Sequence, residues 1–480
     1  MDISLRTLPK RRFTRAYHFN ILRNACSLWL PLVVAVAAAG QTQAPANAAD
    51  VGPLNEILRR LTRLEEQNRQ LLDEVHQLRS ALAQSRGAPE AASLQESQSG
   101  QAIEEKVDVH ERRIEEQAQT KVESSQHLPL RITGMALFSA SLNSRLTGGF
   151  DETTTAPPRG GALSGGATLR QSIVGFEFRG PETIWGGKIR GALNMDFNGG
   201  SGEPHDSLLR IRTAALQVDW KNTSVMFGQD KPLFAPREPT SLVQVAVSAL
   251  SGAGNLWLWQ PQAQVEQRLH LDSQTTVRAQ LGVFQTREDY YAPVVSFYGS
   301  SLQDARPGLQ GRFGISHRLD DERRLEFAGG FHTSTTHVLE YAVPSHVLAL
   351  DWFANPWRKL EFSGAFFRGQ NLTGLGGVGQ GFTVERSGDV IPVHAEGGWT
   401  QFSFLLAPRW TLNIFAGQQD NRNRDIRYGV MKNQSYAGNL MYRMGPNVIL
   451  SFESGQMRTT YLATGNRLNN RYDFGFAYLF

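Results

Sequence analysis

Cysteine is almost absent from the chain: Cys26 is the one thiol in 480 residues. No apolar run approaches the roughly 18 residues that a membrane-spanning helix needs, and the mean hydropathy is −0.34. These absences exclude a polytopic helical membrane protein. They leave open a transmembrane β-barrel, whose strands alternate lipid-facing with lumen-facing residues and so build no long apolar run. Motifs for chemistry are missing as well: no Cys-based zinc pattern, G-x-S-x-G or H-E-x-x-H occurs. The eleven histidines are scattered, and His332 and His337, expected to flank a loop, have no Asp or Glu at ligand spacing. Gly374-Leu-Gly376-Gly-Val-Gly379 matches the dinucleotide fingerprint by letter, but no helix signal follows it, so it reads as a flexible loop. No metal or cofactor is expected, and the chain is not read as an enzyme.

Positive charge is concentrated at one end. Residues 1–49 carry Arg6, Lys10, Arg11, Arg12, Arg15 and Arg23 against Asp2 alone. Without that segment's net +5, the formal charge of +4 falls to about −1, too little for a protein that must neutralise nucleic-acid phosphates. The basic stretch leads into an apolar run from Ala25 to Ala39, followed by A-x-A sites at Ala37-Ala38-Ala39 and Ala46-Asn47-Ala48. This layout predicts a cleaved secretory signal over residues 1–48. A membrane anchor is the alternative, but Pro31 interrupts a run that is already short. Cys26 precedes the apolar core, the wrong side for a lipid anchor. Its removal with the signal would leave a thiol-free chain, which cannot mispair in an oxidising compartment.

Within residues 49–84, Leu54, Ile57, Leu61, Leu64, Asn68, Leu71, Val75, Leu78 and Leu82 follow one another at spacings of three and four. That is the a/d seam of a coiled coil, too narrow to be buried by one helix alone, so self-association is expected. The alternative is a single amphipathic helix lying on the rest of the protein. Asn68 occupies an a position, where a buried amide sets register and strand number at a cost in stability. Residues 85–128 read as a Ser-, Gln-, Ala- and Gly-rich linker with a second, weaker helix marked by Ile103, Val107, His110 and Ile114.

From residue 129 to 480 the period changes to two. In Lys188–Asn198, Lys188, Arg190, Asn194 and Asp196 oppose Ile189, Leu193, Met195 and Phe197. Runs of this kind begin near residues 130, 167, 186, 208, 222, 255, 273, 308, 322, 345, 357, 395, 409, 434, 446 and 470, about sixteen antiparallel strands. The links between them are expected to alternate, short ones with turn formers such as Pro181-Glu182 and Gly445-Pro446, and long ones rich in Gly, Ser and Asn. Trp185, Trp220, Trp352, Trp357 and Trp410 lie close to the short turns, as an interfacial aromatic belt would require. The expected fold is an all-β transmembrane barrel preceded by an α-helical coiled coil. A soluble all-β protein is the alternative, but a soluble core strand rarely sets five aromatics on one face.

Tyr472, Phe474, Phe476, Tyr478 and Phe480 end the chain at alternate positions. This resembles the C-terminal signal that the barrel-assembly machinery reads in outer-membrane proteins. A signal, a coiled coil, a Leu130-Arg-Ile-Thr-Gly134 opening strand and a terminal Phe480 together resemble the DcaP-like trimeric outer-membrane porins, related to the phosphate-selective porin O/P group. The resemblance implies a homotrimer in outer-membrane lipid, a periplasmic coiled coil, and passive diffusion of small hydrophilic solutes, anions or dicarboxylates among them.

Sixteen strands leave a water-filled lumen. The third long loop, 231–254, has an apolar stretch Leu242–Leu250, compatible with a helix, that is better buried against an inner wall than left in water. Infolding would place Lys231, Arg237 and Glu238 at a constriction near Lys188, Arg190, Arg210 and Arg212, a set that would concentrate anions. The loop could instead pack on a neighbouring protomer at the rim. Glu177, Asp196 and Glu238 could also pair with these bases and leave a charge-balanced wall. Two other classes stay open: an outer-membrane phospholipase, whose barrel is smaller and lacks a coiled-coil prefix, and a structural barrel tied to the envelope by its coiled coil.

A peptide of residues 49–84 is expected to be helical and to self-associate. Asn68→Ile should raise its melting temperature while mixing its oligomeric states. Circular dichroism melts with sedimentation equilibrium check both, and a monomeric wild-type peptide would sink the coiled coil.

Overall fold

The computed structural model describes residue 77 and residues 130–146, 149–200, 207–286, 302–304, 307–338, 341–385 and 387–480. The chain divides into two units, Met1–His127 and Leu128–Phe480. Apart from Gln77, which is helical, the expected signal, coiled coil and linker lie outside the described residues.

The second unit is built of strands. In order they are β1 (Leu130–Leu146), β2 (Ala162–Thr168), β3 (Ile173–Thr183), β4 (Gly187–Gly199), β5 (Leu208–Asp219), β6 (Thr223–Asp230) and β7 (Gln260–His270). Then come β8 (Thr275–Phe284), β9 (Leu302–Asp304), β10 (Gly308–Arg318), β11 (Arg324–Val338), β12 (Tyr341–Trp357) and β13 (Leu360–Gln370). A small hairpin of β14 (Phe382–Val384) and β15 (Val390–Pro392) precedes β16 (His394–Ala407), β17 (Trp410–Asn421), β18 (Val430–Arg443), β19 (Val448–Tyr461) and β20 (Gly465–Leu479). Successive strands pair antiparallel, and β20 pairs with β1 from Met135↔Leu479 to Asn143↔Arg471, which closes the sheet. β2 and β3 are two pieces of one stave, since both pair with β1, and β9 prolongs β10 along β11. The result is a closed barrel of sixteen staves.

The alternation expected from the sequence is the alternation of exposure. On β20, Tyr472, Phe474, Phe476 and Tyr478 are exposed while Asn469, Arg471 and Asp473 are buried. Apolar side chains face outward and polar ones inward, the reverse of a soluble sandwich and the pattern of a barrel in lipid. Trp185, Trp357 and Trp410 are exposed beside the short turns.

Those turns are locally specified. Asp272 accepts from the amides of Gln274 (2.6 Å) and Thr275 (2.7 Å), which holds its carboxyl below the usual range. Asp320 is lowered in the same way, first by the Arg323 side chain at 2.7 Å. The strands begin within a few residues of the expected positions, but the expected alternation of links holds only in part. On the long-loop rim β11 and β12 stay paired up to Val338↔Tyr341, and β19 and β20 up to Tyr461↔Gly465, as hairpins of 15 and 17 and of 14 and 15 residues. His332 and His337 both lie within β11, paired with Val347 and Ala342 of β12, and do not flank a loop between them.

Closure depends on a close approach at the seam. Gly134 N donates to Phe480 O (2.9 Å) and Phe480 N donates to Gly134 O (3.1 Å). A Cβ at position 134 would lie 2.6 Å from Phe480 Cζ and 2.5 Å from Ile173 O. Gly134→Val should therefore block closure and shift the protein to its unfolded mobility in heat-modifiability gels. A fully folded band would show that the seam tolerates the side chain.

Candidate functional site

The lumen is shaped by where β6 stops. β6 has eight residues and ends at Asp230, and β7 begins at Gln260, so the chain between them leaves the wall early. The 231–259 loop then follows the inner wall. Leu233 N donates to Gln310 Oε1 on β10 (2.9 Å), and Phe234 packs beside His332 of β11. Arg237 Nε donates to Asp351 of β12 (2.8 Å), and its guanidinium also holds Glu326 of β11. Thr240 N donates to Gln401 of β16 (2.7 Å), and Ser241 Oγ donates to Glu453 of β19 (2.7 Å). Leu242 packs on Met135 and Leu137, and Val243 covers Gly475. The return leg sets Leu250 on Trp399 and Phe415, and Leu256 on Val347, Phe367 and Ala395. The apolar stretch Leu242–Leu250 is thus buried inside the barrel, in turns and not in a helix. Its backbone amides and carbonyls meet polar wall side chains, so no helix is needed to satisfy them.

Two further loops share this side of the lumen. In the 147–161 loop Asp151 takes two bonds from Arg170 (2.8 and 2.7 Å), and Ala156 N donates to Thr459 of β19 (2.8 Å). In the 371–393 loop Leu372 and Leu375 join the apolar cluster around Leu256. The glycine-rich run expected to be flexible is packed here: Gly376 has φ +86°, and a Cβ there would lie 2.6 Å from Trp257 O. Three loops therefore lie against the inner face of β10–β20 and its neighbour β1.

The sequence-selected charges fall into three groups. Lys188 and Arg190 lie exposed near the short-turn rim, Arg190 Nε being 3.3 Å from Asp219. Arg210 binds Asp196 through Nε (3.0 Å) and Nη2 (2.7 Å), and Arg212 Nη1 is 3.6 Å from the same carboxylate. Arg210 and Arg212 are two residues apart and share a face by the strand period; the register passes from Asn194↔Thr213 to Met195↔Ile211 and leaves Arg212 as an extra residue at a bulge. Their guanidinium carbons lie 5.2 and 4.9 Å from the Trp259 ring centre, within cation–π range. Lys231 pairs with Glu238 at 2.6 Å, on the loop itself. Most of the selected bases are therefore partnered by carboxylates; Asp196 and Glu238 carry the pairing that the sequence left open.

A feature missed by sequence reasoning lies opposite the loops. Arg179↔Arg190, Arg268↔Arg278 and Arg318↔Arg324 are direct cross-strand neighbours on the inner face of β3–β11. Like charges placed directly opposite destabilise a sheet. The acids nearby, Asp219, Glu266 and Glu326, offset them only in part. Counting back from the short turn gives Arg268↔Arg278 and Arg318↔Arg324, whereas Arg179↔Arg190 lies beyond a register shift between Arg179 and Glu182. Asp351 was missed for a different reason: it lies far from Arg237 in sequence. Among the described residues, no group of three or more His, Cys, Asp and Glu side chains could hold a metal ion.

Asp351 accepts from Arg237 and also from Arg312 Nε (2.8 Å) and Nη2 (2.9 Å), and its side chain is 2% exposed. Asp351→Ala would leave two guanidinium groups without their shared partner, a loss of roughly 3–5 kcal/mol. Arg237→Gln keeps the Arg312 pair and should cost clearly less. Thermal unfolding of the two variants checks the order, and equal melting temperatures would contradict a shared anchor.

No protein-family model and no curated protein sequence matches the chain. Solved structures do. The outer membrane channel DcaP of Acinetobacter baumannii superposes with a TM-score of 0.61 at 14% identity, covering 73% of this chain and 97% of that one. An anion-selective porin from Comamonas acidovorans gives 0.49 at 10% identity over 73% and 99%. The trimer form of OmpT, an outer membrane protein of Vibrio cholerae, gives 0.46 at 10% identity over 73% and 99%. Residues 130–480 therefore have the fold of the DcaP outer membrane channel.

Proposed function

We propose that this chain is an outer-membrane porin, a homotrimer that passes small hydrophilic solutes by passive diffusion and favours anions. The observation that carries the preference is the set of three arginine pairs facing one another across neighbouring strands of the lumen wall. A sheet would shed such pairs if only stability mattered. In a narrow aqueous channel with low-dielectric walls they raise the local anion concentration.

The 231–259 loop narrows the lumen from the other side, with Lys231, Arg237 and Glu238 on it and Arg210 and Arg212 facing its return leg. Lys188 and Arg190 form part of the approach from the short-turn rim. Dicarboxylates suit this wall, since their two negative charges can engage the two arginines of one cross-strand pair, whose strands lie about 5 Å apart. In this reading the short turns face the periplasm, where the coiled coil of residues 49–84 joins three copies. The 129–480 barrel is delivered to the outer membrane through its Phe480-terminated strand by the barrel-assembly machinery.

The test is single-channel recording of the mature protein in a planar bilayer under a salt gradient. Stepwise openings that close in thirds, with a reversal potential of the anion-selective sign, are expected. Arg190→Glu combined with Arg278→Glu should move the reversal potential toward cations with openings retained. A silent membrane with verified insertion would overturn the porin, and an unmoved reversal potential would overturn the role of the arginine pairs.

A further inference from the structure

The outer wall is bulky and apolar over most of its described face, with Phe327, Leu348, Leu350 and Phe366 exposed on β11–β13. On β17–β20 it is different. Gly438 and Ser454 are cross-strand neighbours, flanked in register by Ile414 and Tyr472. Small side chains between large ones leave a groove of about 450 Å³ on the outward face. Its floor is two strands wide, about 5 Å between strand axes, which suits a single acyl chain.

The groove has a polar upper edge. Tyr436 Oη donates to Gln456 Oε1 (2.6 Å), and Gln456 Nε2 donates to Asn470 Oδ1 (2.8 Å). Directly above, Lys432 and Arg458 project from adjacent strands. Lys432 Nζ is 3.3 Å from Asp420, whereas Arg458 is exposed with no carboxylate at ion-pair distance among the described residues. Arg458 lies about ten residues along β19 from its short turn. At roughly 2.5 Å of height per residue for a tilted strand this is about 25 Å, the upper edge of the apolar band. An apolar slot thus ends, at the level of the outer headgroups, in hydrogen-bonding amides and an excess of positive charge.

We propose that this face binds an anionic, phosphorylated acyl lipid of the outer leaflet, with one acyl chain over Gly438 and Ser454 and a phosphate on Arg458 and Lys432. The inference rests on the outer-membrane reading above, but it concerns the outer wall and not the pore. Charge complementarity selects this occupant: arginine and lysine side chains with neighbouring amides match phosphate oxygens, and a neutral lipid would leave Arg458 without a partner.

The full mature protein would be loaded with a bis-phosphorylated, acylated glucosamine disaccharide lipid or with phosphatidylethanolamine, and retained lipid counted by native mass spectrometry. Wild type should retain the phosphorylated lipid selectively. Lys432→Gln with Arg458→Gln should lower that retention at least tenfold. Gly438→Leu should lower it independently by filling the groove; a Cβ there meets only Asn413 O at 3.4 Å and Ile414 Cγ1 at 3.9 Å, so the substitution has room. A photo-crosslinker at Ser454 in intact cells should capture lipid. Retention unchanged in both variants, or capture of a second copy of this chain at Ser454, would overturn the site. Single-channel conductance, expected unchanged in every variant, reports separately on the porin.

Discussion

A strand surrounded by hydrocarbon has no water to satisfy its backbone, so every amide and carbonyl must find a partner within the sheet. Closure of β20 on β1 meets that requirement, and the reciprocal bonds between Gly134 and Phe480 complete it at the last residue of the chain. Once the ring is closed no edge remains, and each strand's alternation assigns one face to lipid and one to the lumen. The glycine at 134 and the terminal phenylalanine are thus one feature: the aromatic ring occupies the space that a side chain at 134 would fill.

A polar interior changes what holds the molecule together. The buried side of this barrel includes Asp196, Asp351, Glu453, Asp473 and Arg471, residues that a soluble core would expel. They are retained because each is placed within a network. Glu453 takes bonds from Ser241 and Gln244 of the infolded loop and from Asn439 of the wall, so one carboxylate ties loop to barrel. Asp351 does the same through Arg237. Such pairs gain little net stability over apolar contacts, but losing one partner is expensive, which fixes the loop in a single position.

This fixation produces the asymmetry of the lumen. The 147–161, 231–259 and 371–393 loops cover the inner face of β10–β20 and β1 through apolar clusters and buried hydrogen bonds, and the opposed arginines lie toward the facing wall. The two sides meet at Glu326, which holds Arg237 of the loop and Arg324 of an opposed pair. Arg210 and Arg212 also join wall to loop, since they face Trp259 at the end of the loop and share Asp196 of the wall.

Strand number, strand boundaries and the inward phase were legible in the sequence, because each rests on the two-residue period and on turn formers, both local properties. Tyr472, Phe474 and Phe476 against Asn469, Arg471 and Asp473 show that directly. The infolding of the 231–259 loop was legible in outline, since Leu242–Leu250 had to be buried somewhere. Its partners were not: Ser241 meets Glu453 and Arg237 meets Asp351 across 212 and 114 residues of chain. Nor could the sequence report that the glycine-rich run at 374–379 packs against Trp257, or that Arg210 and Arg212 converge on the one carboxylate of Asp196. Periodicity is written along the chain and determines the wall; pairing between distant side chains exists only once the ring has closed, and that alone decided which charges face each other, which are neutralised and which remain open to the lumen.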